Sequence, residues 1–191
     1  MSQLYVGIMS GTSLDGIDLV LVDFSSPAPQ LIESLHCTFA DSLRQQLFTL
    51  SQPGQNEIET LGLVEAELAT AYAKATARLL VKAQITPAAV KAIGCHGQTI
   101  RHRPDGRFSF TYQIGDMFRL AVESQIRVIS QFRQKDMALG GQGAPLVPAF
   151  HQAVFASPTE QRAVINIGGI ANATLLRPGQ PVTGFDTGPG N

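Results

Sequence analysis

Tryptophan is missing from this chain, cysteine occurs only twice in 191 residues, and charged side chains make up only 15%. Each shortage narrows the field. The two cysteines, Cys37 and Cys95, have no partner at the spacing of a metal site. They read as buried thiols of a reducing compartment. There is no basic block, and the net charge is −1. Nucleic acid and anionic membrane surfaces are therefore poor partners. No apolar run approaches the ~20 residues that span a bilayer. The segment Met1 to Gly7 lacks the basic region that opens a signal peptide. The cytoplasm is the expected location.

What the chain does have is apolar content, 44% of residues, which places it among globular proteins. Its length suits one good core, or one domain and part of another. Leu4 to Met9 is a short apolar run, and Ser10 to Gly16 is a glycine-bounded turn. Ile17 to Phe24 alternates with apolar residues on both sides, which predicts a strand covered on both faces. Gln30 to Phe39 reads as a third strand. Asp41 reads as the N-cap of a helix ending near Leu50. Glu57 to Ala83 carries the longest helical periodicity. Thr86-Pro87 reads as another helix start, and Val90 to Cys95 as a returning strand.

Pro104-Asp105-Gly106 predicts the turn of a hairpin. Asp116 is expected to cap a helix running to about Ser124. A short strand is expected at 127–130, a loop over Asp136 to Gly143, and a helix over Val147 to Phe155. The best boundary is Ala156 to Thr159, which divides the chain into domains 1–157 and 158–191. After it the opening pattern recurs: strand 162–167, turn Gly168-Gly169, strand 171–176. Asp186 to Asn191 then reads as a glycine-rich loop. Such a loop normally feeds a further element, so the ending is expected to reflect truncation.

The chemistry concentrates in a few motifs. Gly11, Thr12, Ser13, Leu14, Asp15, Gly16, Ile17 and Asp18 form a turn whose amides, hydroxyls and glycines suit a phosphate. No Walker sequence follows, and the same residues also make an ordinary hairpin turn. Asn166 to Thr174 repeats the design, and two such hairpins suit a two-lobed phosphotransferase. Asp186, between glycines, suits a general base or a cap. His96 and Gln98 follow a strand end, where α/β folds gather ligand contacts. Gly140 to Pro148 is a rigid loop feeding a helix, suited to an anionic group. Asp15, Asp18 and Asp136 are carboxylates available to Mg²⁺ or to turns.

These motifs together resemble the anhydro-N-acetylmuramic acid kinases from Val6 to Asn191. The anchors are Gly7 to Gly16, His96 to His102, Gly140 to Pro148, Asn166 to Gly169 and Gly184 to Asn191. The resemblance implies an α/β fold: a ribonuclease-H-like, actin/hexokinase-like first lobe with a mixed sheet and flanking helices, plus the opening hairpin of a second similar lobe. It implies a cytoplasmic enzyme of cell-wall recycling. ATP, Mg²⁺ and water would convert 1,6-anhydro-N-acetylmuramic acid to N-acetylmuramic acid 6-phosphate. It implies that residues 11–18 hold ATP phosphates and that Asp186 is the catalytic base. His96, Gln98, Arg133, Gly141 and Gln142 would be sugar-side groups. Members are about twice as long, so this stretch alone is expected to be inactive. Met9-Ser10 stand where many actin-like folds have Asp, which leaves any protein ligand for Mg²⁺ open. Two other readings stay open: a non-catalytic fragment that self-associates, up to a homodimer, and a kinase for another sugar or acid.

Overall fold

The computed structural model describes residues 2–190; Met1 and Asn191, the last residue of the glycine-rich stretch, lie outside the described residues. The described chain divides into two compact units. One contains the residues up to Arg103 together with Phe110–Phe132, and the other Pro104–Ser109 with Arg133 onward.

The first unit is a mixed sheet with helices. Its strands are β1 (Leu4–Ser10), β2 (Gly16–Asp23), β3 (Gln30–Thr38), β4 (Val90–Arg103), β5 (Phe110–Ile114) and β6 (Val128–Ile129). Its helices are α1 (Asp41–Leu50), α2 (Glu57–Ala83) and α3 (Met117–Ser124). The path through the sheet is β3-β2-β1-β4-β5. Strands β1, β2 and β3 form an antiparallel meander, and β4 returns parallel to β1. The outer edge of β4 pairs first with β6, parallel at Ile93 and Gly94, and then with β5, antiparallel from Gln98 to Arg103. A meander followed by parallel strands in this order is the ribonuclease-H-like arrangement.

The core lies between one sheet face and the helices. Leu4, Val6 and Ile8 of β1 and Ile17, Leu19 and Leu21 of β2 are buried with Leu43, Leu47, Leu68 and Leu79. The period-2 spacing of the strands meets the three- and four-residue spacing of α2. The other face of β2 is open: Asp18 and Val20 are exposed. The expectation of a strand covered on both faces is thus corrected. Alternating apolar residues show that a face accommodates cover, and α2 supplies that cover on one side.

Three local readings also change. Asp41 is the first residue of α1, not its cap; Ala40 occupies the cap position without a side-chain bond. A carboxylate in the first turn still opposes the positive end of the helix dipole. Pro87–Ala89 is a single 3-10 turn, and Thr86 makes no side-chain cap bond. The strand expected to end at Cys95 runs unbroken to Arg103. Asp116 does cap α3, its Oδ1 accepting from the Arg119 N–H at 2.9 Å.

The second unit holds α4 (Phe132–Ala138, from Arg133 on), α5 (Pro148–Phe155) and a three-stranded antiparallel sheet of β7 (Arg162–Ile167), β8 (Ile170–Leu176) and β9 (Thr183–Pro189). Helix α5 packs on β8 through a buried pair: His151 Nδ1 lies 2.9 Å from Thr174 Oγ1. This packing makes the unit begin well before the sequence boundary at 157/158. Residues 136–138, expected to open a loop running to Gly143, are the last turn of α4, and Asp186 to Pro189 belong to β9, not to a glycine-rich loop. Glycine and proline suggest a loop by propensity, but an edge strand tolerates both.

Leu68 is fully buried at the centre of α2. Leu68→Ala is expected to destabilise the first unit by about 2–5 kcal/mol, read as a lower urea midpoint with an unchanged slope.

Candidate active site

The candidate residues fall into two groups, one in each unit. In the first unit the turn between β1 and β2 is closed by the Leu14 N–H donating to Gly11 O at 3.2 Å. Leu14 sits at φ 57°, the left-handed region, although it is neither glycine nor asparagine. The conformation costs on the order of 1 kcal/mol, and burial of the Leu14 side chain opposes that cost. Thr12, Ser13 and Asp15 remain exposed. Ser13 Oγ donates to Asp15 Oδ1 at 2.9 Å. Beside the turn lies a cavity of about 580 Å³ lined by Thr12, Ser13, Leu14, Arg44, Gln45 and Phe48.

Beneath the turn is a buried polar network. Ser10 Oγ and Tyr72 OH lie 2.7 Å apart, and Ser10 Oγ donates to Gly97 O at 3.4 Å. Burial pushes the Tyr72 hydroxyl far above its ordinary range, with the Ser10 bond opposing. Gln98 is 1% exposed, and its Nε2 donates to Gly11 O at 3.1 Å. Its Oε1 is buried with no partner among the described residues. Gln98 therefore supports the turn from below. His96 is half-buried and its Nδ1 donates to Gly97 O at 2.7 Å. Cys95 is buried, and desolvation pushes its thiol up to about 12. It is a packing residue, not a nucleophile.

Gly16 and Asp18 face β3. A Cβ on Gly16 would stand 2.4 Å from Cys37 O and 2.8 Å from the His36 ring. Asp18 Oδ1 accepts from His36 Nδ1 at 2.8 Å across the β2–β3 pair. Ile17 points into the core. Thus the exposed part of the turn is Thr12, Ser13 and Asp15, while residues 16–18 anchor it to the sheet.

In the second unit, Arg133 and Asp136 of α4 brace the following glycine turn. Arg133 Nη1 donates to Gly143 O at 2.6 Å, and Asp136 Oδ2 accepts from the Gly143 N–H at 2.8 Å. Gly141 N donates to Asp136 O at 2.9 Å, and a Cβ on Gly141 would overlap the Asp136 carboxylate at 2.2 Å. Gln142 is exposed at the tip. Burial lowers the pKa of Arg133, and the charge of Asp186 opposes this, so the two groups feel each other.

Asp186 is exposed on β9, paired with Asn172 of β8. Two residues earlier, Gly184 lies under Pro148 and Pro145; a Cβ there would meet Pro148 Cγ at 2.4 Å. At the other end of β9, the Gly190 N–H donates to Gly169 O at 3.1 Å. A Cβ on Gly190 would come within 2.0 Å of Gly168 O. The second glycine hairpin is thus a site of close backbone packing.

Among the described residues no group of three or more His, Cys, Asp and Glu side chains converges to hold a metal ion. Asp15, Asp18 and Asp136 each accept bonds from protein groups. These residues do not build a site for Mg²⁺ by themselves, and no protein ligand is assigned to one. Sequence reasoning passed over Tyr72 and His36, and took Asn172 only as part of the second glycine motif, without its partner. Tyr72 reads as helix core, and the strand partners of His36 and Asn172 are fixed only by register.

Comparison with known proteins agrees across the whole chain. Residues 3–191 match the family model described as anhydro-N-acetylmuramic acid kinase. A protein of that name from Haemophilus influenzae is 53% identical over 99% of this chain and 49% of its own length. Another from Shewanella halifaxensis is 54% identical, covering 100% of this chain and 52% of its own. The chain therefore spans about half the length of the curated relatives it matches. Among solved structures, a Ppx/GppA phosphatase of Aquifex aeolicus aligns over 97% of this chain and 53% of its own, at TM-score 0.43 and 11% identity. The fold assignment rests on the sheet order, not on that distant likeness.

Gly97, between His96 and Gln98, has φ +76°, and a Cβ there would stand 2.7 Å from Ile114 O. Gly97→Ala is expected to cost about 1–3 kcal/mol by overpacking, and more from backbone strain. Urea denaturation measures it; unchanged stability would refute the close approach.

Proposed function

The chain belongs to the anhydro-N-acetylmuramic acid kinase family, and from that premise we propose that it carries the phosphate turn and the catalytic base of an ATP-dependent sugar kinase. The substrate is 1,6-anhydro-N-acetylmuramic acid, and the product is N-acetylmuramic acid 6-phosphate. The setting is cell-wall recycling in the cytoplasm. No helix among the described residues is long and apolar enough to cross a membrane, in keeping with this setting.

The observation that carries the reading is an exposed carboxylate, Asp186, within electrostatic reach of the Arg133 cation, on a strand packed against Pro145 and Pro148. In the proposed reaction Asp186 takes a proton from water as the water oxygen bonds to the anomeric carbon. The bond from that carbon to the 6-oxygen breaks, and the 6-oxygen attacks the γ-phosphorus of ATP. ADP leaves with the electron pair of the broken phosphoanhydride bond. A general base contributes roughly 10²–10⁴ in rate. Thr12 to Asp15 receive the ATP phosphates: the turn is polar, Gly11 at its start adds no side chain, and its shape is fixed from below by Gln98. Arg133, His96, Gly141 and Gln142 are the sugar-side groups in this reading.

A second reading is favoured by β7, the edge of the three-stranded sheet, where Ile165 and Ile167 are exposed. An apolar edge strand invites pairing with another copy, and so a homodimer. Sedimentation of this chain is then expected to show concentration-dependent association, abolished by Ile165→Lys. A monomer at every concentration sinks this second reading.

The kinase reading is tested by joining this chain to the remaining half of the Haemophilus influenzae relative. The chimera is expected to phosphorylate the anhydro sugar with ATP. Asp186→Asn should lower turnover by at least ~10² while ATP affinity changes little. Turnover at the unsubstituted rate would remove Asp186 from the role of base.

A further inference from the structure

A polar row crosses the β7–β8–β9 sheet. Asn166 pairs with Asn172, and Asn172 pairs with Asp186. Directly opposed residues project from the same face, with Cβ atoms about 4.5–5.5 Å apart. Thr174 shares this face by the two-residue strand period. It is fully buried and bonded to His151 of α5. The row therefore begins under α5 and reaches the surface at Asp186, which is exposed.

Within that row Asn172 stands out. Its Oδ1 is buried and has no hydrogen-bond partner among the described residues. A buried acceptor without a donor destabilises the fold, and such groups call for an explanation. The adjacent Asp186 offers none while ionised, because a carboxylate only accepts. A protonated Asp186 differs in one respect: it has an O–H to donate.

We propose that Asn172 is a positioning residue whose Oδ1 accepts the O–H that Asp186 gains when it acts as general base. The inference rests on the reading of Asp186 as that base. The balance is simple. A proton leaves the attacking oxygen as its bond to carbon forms, and its electron pair stays with that oxygen. The proton bonds to a carboxylate oxygen of Asp186 and stays there. Asn172 takes no charge; it gains one hydrogen bond, and its orphaned acceptor is satisfied. The pair is poorly matched before proton transfer and well matched after it. That is the differential stabilisation a proton-transfer step requires.

Other charged groups around Asp186 act differently. The charge of Asp186 acts on Arg133 of α4, opposing the effect of burial on that guanidinium. Asp136 of α4 is engaged by the Gly143 N–H, and His151 of α5 by Thr174.

The test is a carbon-13 NMR pH titration of this 191-residue chain, observing the side-chain carbonyl carbons of Asp186 and Asn172. In the unsubstituted chain the Asn172 resonance should move with the same midpoint as Asp186, and should stay still in Asp186→Asn. Asn172→Ala should lower the Asp186 midpoint by about one pH unit, the size of one hydrogen bond to the neutral acid. A midpoint that rises in Asn172→Ala would mean that Asn172 donates to the carboxylate, and would overturn the proposal. So would an Asn172 resonance indifferent to Asp186, a result that needs no substitution at position 172. Loss of turnover in Asp186→Asn with either of those outcomes would leave the base in place and remove only Asn172.

Discussion

The parallel register of β1 against β4 is the constraint on which the first unit depends. It sets Gly7 beside Gly94 and Ser10 beside Gln98, residues nearly ninety positions apart in sequence. Everything around the first glycine turn follows from that alignment. Gln98 can reach Gly11 O, and Ser10 can reach both Gly97 O and Tyr72 OH, only because the ends of β1 and β4 coincide. Residues of both strands share the buried core with Leu68, Tyr72 and Leu79 of α2. Burial at about 25 cal/mol per Å² of apolar surface is the dominant favourable term. The network under the turn is polar yet enclosed, so its geometry is specified tightly by the requirement that its groups be satisfied.

The second unit uses a different device. Its sheet is small, and close backbone approach does much of the fixing. Gly184 lies under Pro148, and Gly190 lies against Gly168. The buried His151–Thr174 bond ties α5 to β8. The outcome is a fixed surface that presents Asp186, with Arg133 near enough for their charges to interact. Glycine here serves contact rather than mobility. That explains why a segment dense in Gly and Pro forms a paired strand.

Family membership was legible because several long motifs occur in order along the chain, and each alone was ambiguous. The helical periodicity of 57–83 and the cap at Asp116 were legible for a local reason: both depend on residues within a turn or two of one another. The open face of β2 was not legible, because alternation describes a side chain's polarity and not what packs on it. Nor was β9, because local propensity argues for a loop at Asp186 to Pro189, and pairing with β8 overrides it. Of the candidate site, the turn residues and Asp186 could be named from motifs. The supports Tyr72 and His36 could not, and Asn172 could be named only as a motif residue, since the partners of all three are set by distant register.

Sequence by itself determined the local chemistry: a polar turn bounded by Gly11 and Gly16, a carboxylate at 186, and strands and helices with the spacing to share a core. Tertiary structure decided which of these groups meet. It turned Gln98 inward to hold Gly11, gave Asp18 to His36, and set Asn172 opposite Asp186. The physical reason is range. Propensity and turn chemistry act over a few residues, whereas strand register and burial are set by the whole core and choose among the partners that local chemistry permits.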